Sequence, residues 1–278
     1  MTPSQQLSAC LGRDGEGPLF VHSDLLLASC FVELSTDRQE LLKRHVSVLE
    51  EVAGRRPIWM PVFNYDFLKT GQFNLNASPC ALGPLAEYFR LSRADWRTVD
   101  PVFSVAGTGR PPHLPPESSR IDPFGDPSVF AELLRRHGTV FFYGAQFSSA
   151  TIIHYFERKF IGPSYRYDKI FKGVIIEGEK NWEVEYVYHV RPLHRVLDYD
   201  WERLARDLSA RGLSRSILWK NRCVAFAVNA TDLDAFWHER LKHDPLYFLD
   251  EESRAWVEPM LGKLGRAFEL ADFERGIE

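Results

Sequence analysis

His154 and Glu157 are three residues apart in Thr151-Ile-Ile-His154-Tyr-Phe-Glu157, a spacing that puts an imidazole and a carboxylate on one face of a helix. A carboxylate beside an imidazole favours the protonated ring, raising its basicity, and orients one ring nitrogen while the other stays free. Such a ring is a competent general base near neutral pH. An ordinary i,i+3 pair on a helix surface has the same spacing, so the surrounding elements have to decide between the two readings.

Those elements favour chemistry. Thr139-Val-Phe-Phe-Tyr143 is β-branched and aromatic and stops at Gly144, which predicts a short buried strand ending in a turn. Ser148, Ser149 and Thr151 then offer N-cap oxygens, and Ile153, Phe156 and Phe160 follow at helical spacing. A strand end, a turn and a helix start form a usual setting for reactive groups.

A second strand, turn and helix start is predicted at Leu19-Phe-Val-His22, followed by Ser23 and Asp24. Its exposed amides and the Ser23 hydroxyl suit an anion, whereas Ser23 or Asp24 as a plain N-cap accounts for the same residues. An amphipathic helix is expected from about Asp37 to Val52, with Leu41, Leu42, Val46, Leu49 and Val52 on one stripe, ended by Gly54. Pro57 to Pro61, continued by Val62 and Phe63, reads as the next strand, which makes a parallel crossover. Asn64, Tyr65 and Asp66 follow its carboxyl end, the edge where open α/β sheets bind ligands.

Lys69 to Pro84 reads as an irregular loop and Leu85 to Leu91 as a short helix. Arg97 to Val105 leads into Gly107-Thr-Gly109, a second candidate for close backbone approach to a ligand. Pro111 to Pro127 is expected to be a covering loop. Gly162 and Pro163 break the chain after the His154 helix, and Val174–Ile176 with Trp182–Tyr186 around Gly178 predict an antiparallel hairpin. A helix near Trp201 to Ala210, strands near 217–219 and 224–228, and a helix from Asp232 to Leu241 complete an α/β fold. The expectation is one large domain over residues 1–278, with a mixed, partly parallel central sheet flanked by helices.

Composition bounds the function. With 278 residues and 45% hydrophobic content the chain can bury a substantial core, and a formal charge of −4 gives little support for a nucleic-acid or anionic-membrane partner. Cys10, Cys30, Cys80 and Cys223 are far apart and include no CxxC pair, so neither a zinc ribbon nor a redox motif is indicated. The N-terminal residues lack a signal-peptide pattern, and no apolar run reaches the ~18 residues of a membrane span, so a cytoplasmic location is expected. His22, His113, His189 and His194 show no metal-type spacing to His154, and no metal is expected.

Read together, Phe20-Val-His22-Ser23-Asp24-Leu25, Met60-Pro-Val-Phe63-Asn-Tyr65-Asp66-Phe67, Arg97-Thr-x-Asp100-Pro101-x-x-Ser104-Val105-Ala-Gly107, Pro123-Phe124-Gly125-x-x-Ser128 and Thr151-x-x-His154-x-x-Glu157 occur in an order that resembles the aminoglycoside 3-N-acetyltransferase family, from about Leu19 to Leu249. The resemblance implies acetyl transfer from acetyl-CoA to an amine, with His154 as base and Glu157 as its partner. It implies a coenzyme path along His22, Ser23, Asp24, Phe63, Tyr65, Ser104 and Val105.

Departures from the family pattern bear on the acceptor. Members that act on antibiotics commonly carry histidine where this chain has Asp100 and serine where it has Asp24, and the run from His154 to Gly173 looks more like the branch associated with surface-polysaccharide and other sugar biosynthesis. Tyr165, Arg166 and Lys169 begin eight residues after Glu157 and can fold back towards it, where the cations would hold a diphosphate and a tyrosine would carry a base or sugar. The expected acceptor is therefore an amino sugar, nucleotide-linked, with Asp66 and Asp100 also on the acceptor side. An aminoglycoside acceptor is the alternative, a solvated loop accounts equally for the cationic segment, and a homodimer is compatible with the chain. A metal-dependent hydrolase and a non-catalytic binding protein are the readings from other functional classes.

Overall fold

Strands that are apolar on both faces need cover on both sides, and this chain supplies it. The computed structural model describes residues 2–12, 15–115, 119–161 and 164–274. Its strands are β1 (Leu19–Ser23), β2 (Ile58–Pro61), β3 (Gln72–Asn74), β4 (Trp96–Arg97), β5 (Val105–Gly107), β6 (Arg120–Ile121), β7 (Thr139–Tyr143), β8 (Tyr167–Glu177), β9 (Lys180–Val190), β10 (Ser214–Trp219) and β11 (Arg222–Asn229). A seven-stranded sheet runs in the order β10-β11-β7-β1-β2-β5-β4, and a four-stranded sheet in the order β3-β8-β9-β6.

The large sheet is mixed. Its centre is parallel, with Leu19 to Ser23 of β1 in register with Thr139 to Tyr143 of β7 and Leu19 opposite Ile58 of β2. Antiparallel partners close it on either side, β11 against β7 and β5 against β2. The predicted hairpin is present but longer than expected, turns at Gly178, and belongs to the smaller sheet.

Alternation along the central strands splits the interior into two cores. Leu19, Val21, Ile58, Met60, Phe141 and Tyr143 face the helices Pro3–Leu11, Arg38–Ala53 and Pro84–Ser92. Phe20, Trp59, Val140 and Phe142 face the other way, into a core shared with the helices Trp201–Ala210 and Ala230–His243 and with the small sheet. The period of two along a strand makes this division unavoidable once both faces are covered. The expected helices at 37–52 and 85–91 form with ends shifted by about a residue, at Arg38–Ala53 and Pro84–Ser92.

Three expectations need correction, and a fourth falls where the structure is silent. Residues 69–84 are not wholly irregular, because Phe67–Thr70 makes a helical turn and Gln72–Asn74 pairs in parallel with β8. The close approach expected at Gly107 is made by the chain's own side chains: a Cβ there would strike the Trp96 and Trp59 rings, so glycine makes room for tryptophan. The Pro111–Pro127 segment, of which residues 116–118 are not described, contains β6 on the edge of the small sheet. The expected break at Gly162 and Pro163 falls outside the described residues.

At the C-terminal ends of β1 and β7 the chain turns sharply. Gly144 has a φ of +72°, and a Cβ on it would collide with the Asp24 carbonyl and with Ala28. Only glycine lets these two turns lie back to back. Both turns face the site described next.

Candidate active site

His154 sits where the backbone changes character. After β7 the chain makes a 3-10 turn (Phe147–Ser149), closed by the Ser149 hydroxyl donating to the Gln146 carbonyl at 2.7 Å, then a single α-turn (Ile153–Phe156) that passes into a π-turn (Glu157–Ile161). The regular helix expected here, capped by Ser148, Ser149 or Thr151, is thus replaced by short irregular turns, and no side chain caps the α-turn. Such π-turns recur at functional sites.

The predicted pair nevertheless forms, with His154 Nδ1 2.8 Å from Glu157 Oε2. Glu157 is almost fully buried, while about a quarter of the His154 side chain is exposed (24% against 2%). The Phe124 ring packs edge-on against the imidazole at 5.2 Å. Ring position is therefore set by a carboxylate on one edge and by aromatic packing on one face.

Glu157 is enclosed by donors. Its Oε1 accepts from the Tyr165 hydroxyl at 2.6 Å and from the Tyr199 hydroxyl at 2.7 Å, and its Oε2 is 3.2 Å from Arg166 Nε. Arg166 also donates to the Tyr199 oxygen, which lies 3.2 Å from His154 Nδ1. Burial works to raise the Glu157 pKa, but the Arg166 guanidinium and His154 hold it well below the ordinary carboxylate range.

This cage overturns one expectation about basicity. The His154 pKa lies below its ordinary value, because burial and the Arg166 charge outweigh the hydrogen bond and charge of Glu157. It also relocates the residues expected to hold an acceptor. Tyr165 and Arg166 are buried against Glu157, and Lys169 pairs with Glu274, so none of the three is a free cationic or aromatic surface.

The His154 ring lines a cleft with about 1100 Å³ of empty space, open to solvent. Its walls are the end of β1 and the following turn (His22, Ser23, Asp24), the end of β2 and beyond (Phe63, Tyr65), the 145–151 turns, and Trp201. Five residues expected beside a coenzyme thus share one cleft with the expected base. Asp24 also caps the short helix Leu25–Ala28 by accepting from the Leu26 amide at 2.9 Å. His22 is buried against Phe142, with ring centroids 5.0 Å apart, and burial lowers its pKa to about 3.

Ser104 and Val105 are the exceptions and do not line the cleft. Both are fully buried. The Ser104 hydroxyl donates to the Val62 carbonyl at 2.8 Å and accepts from Arg97 at 3.0 Å, tying β5 to the chain after β2. Asp66 is exposed at the start of the Phe67–Thr70 turn, away from the cleft lining.

Asp100 lies on a second cavity, of about 240 Å³ and mostly apolar, together with Val99, Ile121, Asp122, Pro123 and Asp126. Its carboxylate accepts from the amides of Val102 and Phe103 at 2.9 and 2.7 Å. Burial pushes its pKa up to about 6 despite those two bonds. Pro123 and Gly125 line this cavity while the Phe124 between them packs on His154.

Tyr199 and Trp201 were not legible as site residues. They precede or begin the helix Trp201–Ala210, 45 residues beyond His154 in the case of Tyr199, and carry no spacing that ties them to it. Among the described residues no three His, Cys, Asp or Glu side chains converge as metal ligands, and no helix is long and apolar enough to cross a membrane.

Solved structures share this architecture. Aminoglycoside acetyltransferase AAC(3)-IVa is 23% identical, with 89% of this chain and 91% of that one covered at a TM-score of 0.62. AAC-IIIb in binary complex with CoASH is 18% identical, with 87% and 97% covered at 0.67. A mutant of AAC(3)-IVa in complex with apramycin is 21% identical, with 88% and 93% covered at 0.63. At these identities the likeness establishes the fold. No curated protein sequence matches significantly. The family model described as aminoglycoside 3-N-acetyltransferase matches residues 51–241, well over half of the chain and including both His154 and Glu157, and the chain therefore belongs to the aminoglycoside 3-N-acetyltransferase family.

Proposed function

We propose that this protein transfers an acetyl group from acetyl-CoA to an amine of an amino-sugar acceptor, with His154 as general base and Glu157 as its partner. The observation that carries the reading is the dyad itself: a ring held through Nδ1 at 2.8 Å by a buried carboxylate, in the wall of a cleft large enough for the thioester arm. Ser23, Gln146, Ser148 and Ser149 offer polar contacts to an amide-rich chain and its phosphates, and Phe63, Tyr65 and Trp201 offer aromatic walls. A relative of the same fold was solved with CoASH bound.

A sugar ammonium has no lone pair to attack with. His154 takes its proton through Nε2, the freed nitrogen bonds to the thioester carbonyl carbon, and the tetrahedral adduct collapses with cleavage of the C–S bond. The proton on His154 passes to the departing thiolate, which leaves as the CoA thiol, and the second proton of the acylated nitrogen is released to solvent. A lowered histidine pKa suits this sequence, because the ring is uncharged and able to accept at neutral pH.

The acceptor we favour is of aminoglycoside type. The cations that would hold a nucleotide diphosphate are committed to internal pairs, Arg166 with Glu157 and Lys169 with Glu274. Carboxylates line the cleft and its neighbour: Asp24 in the cleft, and Asp100, Asp122 and Asp126 on the cavity beside Phe124, where Asp122 is paired with Arg158 and Asp126 with Arg135. A polycation needs such groups, and relatives of this fold were solved with apramycin and with a gentamicin.

The test is a panel read by release of free thiol from acetyl-CoA, covering apramycin, gentamicin, sisomicin and a nucleotide-linked amino sugar. Turnover of aminoglycosides, abolished in His154→Ala while calorimetry still detects acetyl-CoA binding, is the expected result. Selective turnover of the nucleotide sugar would replace the acceptor assignment, and full activity in His154→Ala would remove the base.

A further inference from the structure

Arg166 carries a full positive charge yet its side chain is only 9% exposed, and it spends that charge within the dyad's own surroundings. Proton accounting shows what it does there. Glu157, held ionised, can only accept; the hydrogen on Nδ1 of His154 therefore belongs to His154, and Nε2 keeps the lone pair. Tyr165 and Tyr199 each spend their single hydrogen on Glu157 Oε1, which leaves a Tyr199 lone pair for Arg166.

We propose that Arg166 is the positioning residue of the dyad: its guanidinium, with the hydroxyls of Tyr165 and Tyr199, fixes the Glu157 carboxylate on His154 and balances its charge, so that the resting ring is neutral and open at Nε2. This deepens the acetyl-transfer reading and rests on it for the ring's task, but not for its state. A planar fork is needed, because one guanidinium must reach Glu157 through Nε and Tyr199 through a terminal nitrogen at once. A lysine offers the charge without that second arm.

The groups that face His154 are few. From its own turn comes Glu157; Arg166 comes from the segment leading into β8, with Tyr165 beside it; Tyr199 comes from the segment before the helix Trp201–Ala210. His189 of β9 adds a weaker repulsion and is itself 3.4 Å from Asp168, which is paired with Arg158. Asp24 lines the same cleft with its carboxylate turned to the Leu26 amide. Within this set Arg166 is the fixed cation in contact with Glu157, so its removal leaves the carboxylate's attraction for a ring proton unopposed.

The experiment is a histidine-ring NMR titration of the free, full-length protein, with His154→Asn assigning the signal and the pH profile of kcat/KM measured alongside. Wild-type His154 should titrate below the ordinary histidine value. Arg166→Gln should move it up by about 1 pH unit or more and carry the acid limb of kcat/KM with it, whereas Arg166→Lys, which keeps the charge, should titrate near wild type but lose kcat for want of the second arm on Tyr199. An unmoved or lowered titration in folded Arg166→Gln overturns the inference.

Should Arg166→Gln not fold, Tyr199→Phe decides. It keeps the ring and removes both the hydroxyl on Glu157 and the acceptor for Arg166, so kcat should fall about tenfold or more with acetyl-CoA affinity unchanged. An unchanged kcat overturns the inference. A titration that moves as expected in a protein that acetylates no amine would leave the inference standing and remove the proposed function.

Discussion

Replacing Glu157 by glutamine changes one oxygen to nitrogen, and the surroundings make that a severe perturbation. Every group around the carboxylate is a donor: two tyrosine hydroxyls, the His154 ring and the Arg166 guanidinium. Glutamine keeps one acceptor and turns an NH2 towards donors. It also leaves Arg166 charged, buried and without its counter-ion. Breaking a buried pair from one side costs about 3–5 kcal/mol, and the mismatched hydrogen bonds act in the same direction.

Urea denaturation of Glu157→Gln should therefore show a loss within that range. The double variant Glu157→Gln with Arg166→Met should be less destabilised than the sum of the two singles, since it removes both buried charges. The carboxylate's folded pKa is depressed, so its ionisation stabilises the protein fully above the ordinary glutamate value of 4.5 and loses that effect as pH falls below it. The destabilisation should accordingly be constant from pH 6 to 8. A Glu157→Gln protein within about 1 kcal/mol of wild type, the size of an ordinary hydrogen bond, would refute the cage as described.

Two further outcomes follow from residues assigned different work. Ser104→Ala should lose about 1–3 kcal/mol of stability and leave acetyl-CoA affinity unchanged in calorimetry, because its hydroxyl ties Arg97 to the Val62 carbonyl in the interior; Ser23→Ala should do the reverse. Asp100 has a folded pKa raised from 3.8 to about 6, so its contribution is full below 3.8 and lost as pH rises through 6; Asp100→Asn should flatten that decline and be no less stable than wild type at pH 8, as followed by thermal melts across pH.

Much of this was legible in local sequence. Strands buried on both faces announce themselves as continuous apolar runs, and Phe20 with Val21, or Phe141 with Phe142, can hardly sit elsewhere. The His154–Glu157 spacing survives because three residues across an α-turn and its π continuation still bring the two side chains together. The helix Pro3–Leu11 went unread although its signal is present: Thr2 and Gln5 form a capping box around Pro3.

What was not legible depends on long-range meeting. Arg166 looks like a ligand-binding cation in a polar, aromatic run, and only the folding of β8 against the dyad reveals that its charge is spent inside. The same holds for basicity, where the neighbour visible in sequence raises the ring's pKa while burial and the distant cation lower it further. Ser104 resembles a contact residue by motif and is a strut by position.

The back-to-back turns at Asp24 and Gly144 have a mechanical meaning. Backbone pressed against backbone, with no side chain between to change rotamer, gives no slack, so the β1 and β7 sides of the cleft behave as one rigid jaw. Tyr65 and Leu82, which line the same cleft and stand exposed at 41% and 42%, are free of that constraint. Under the proposed function, the amine and thioester would then be brought to a His154 whose side of the cleft is held in place by this backbone contact.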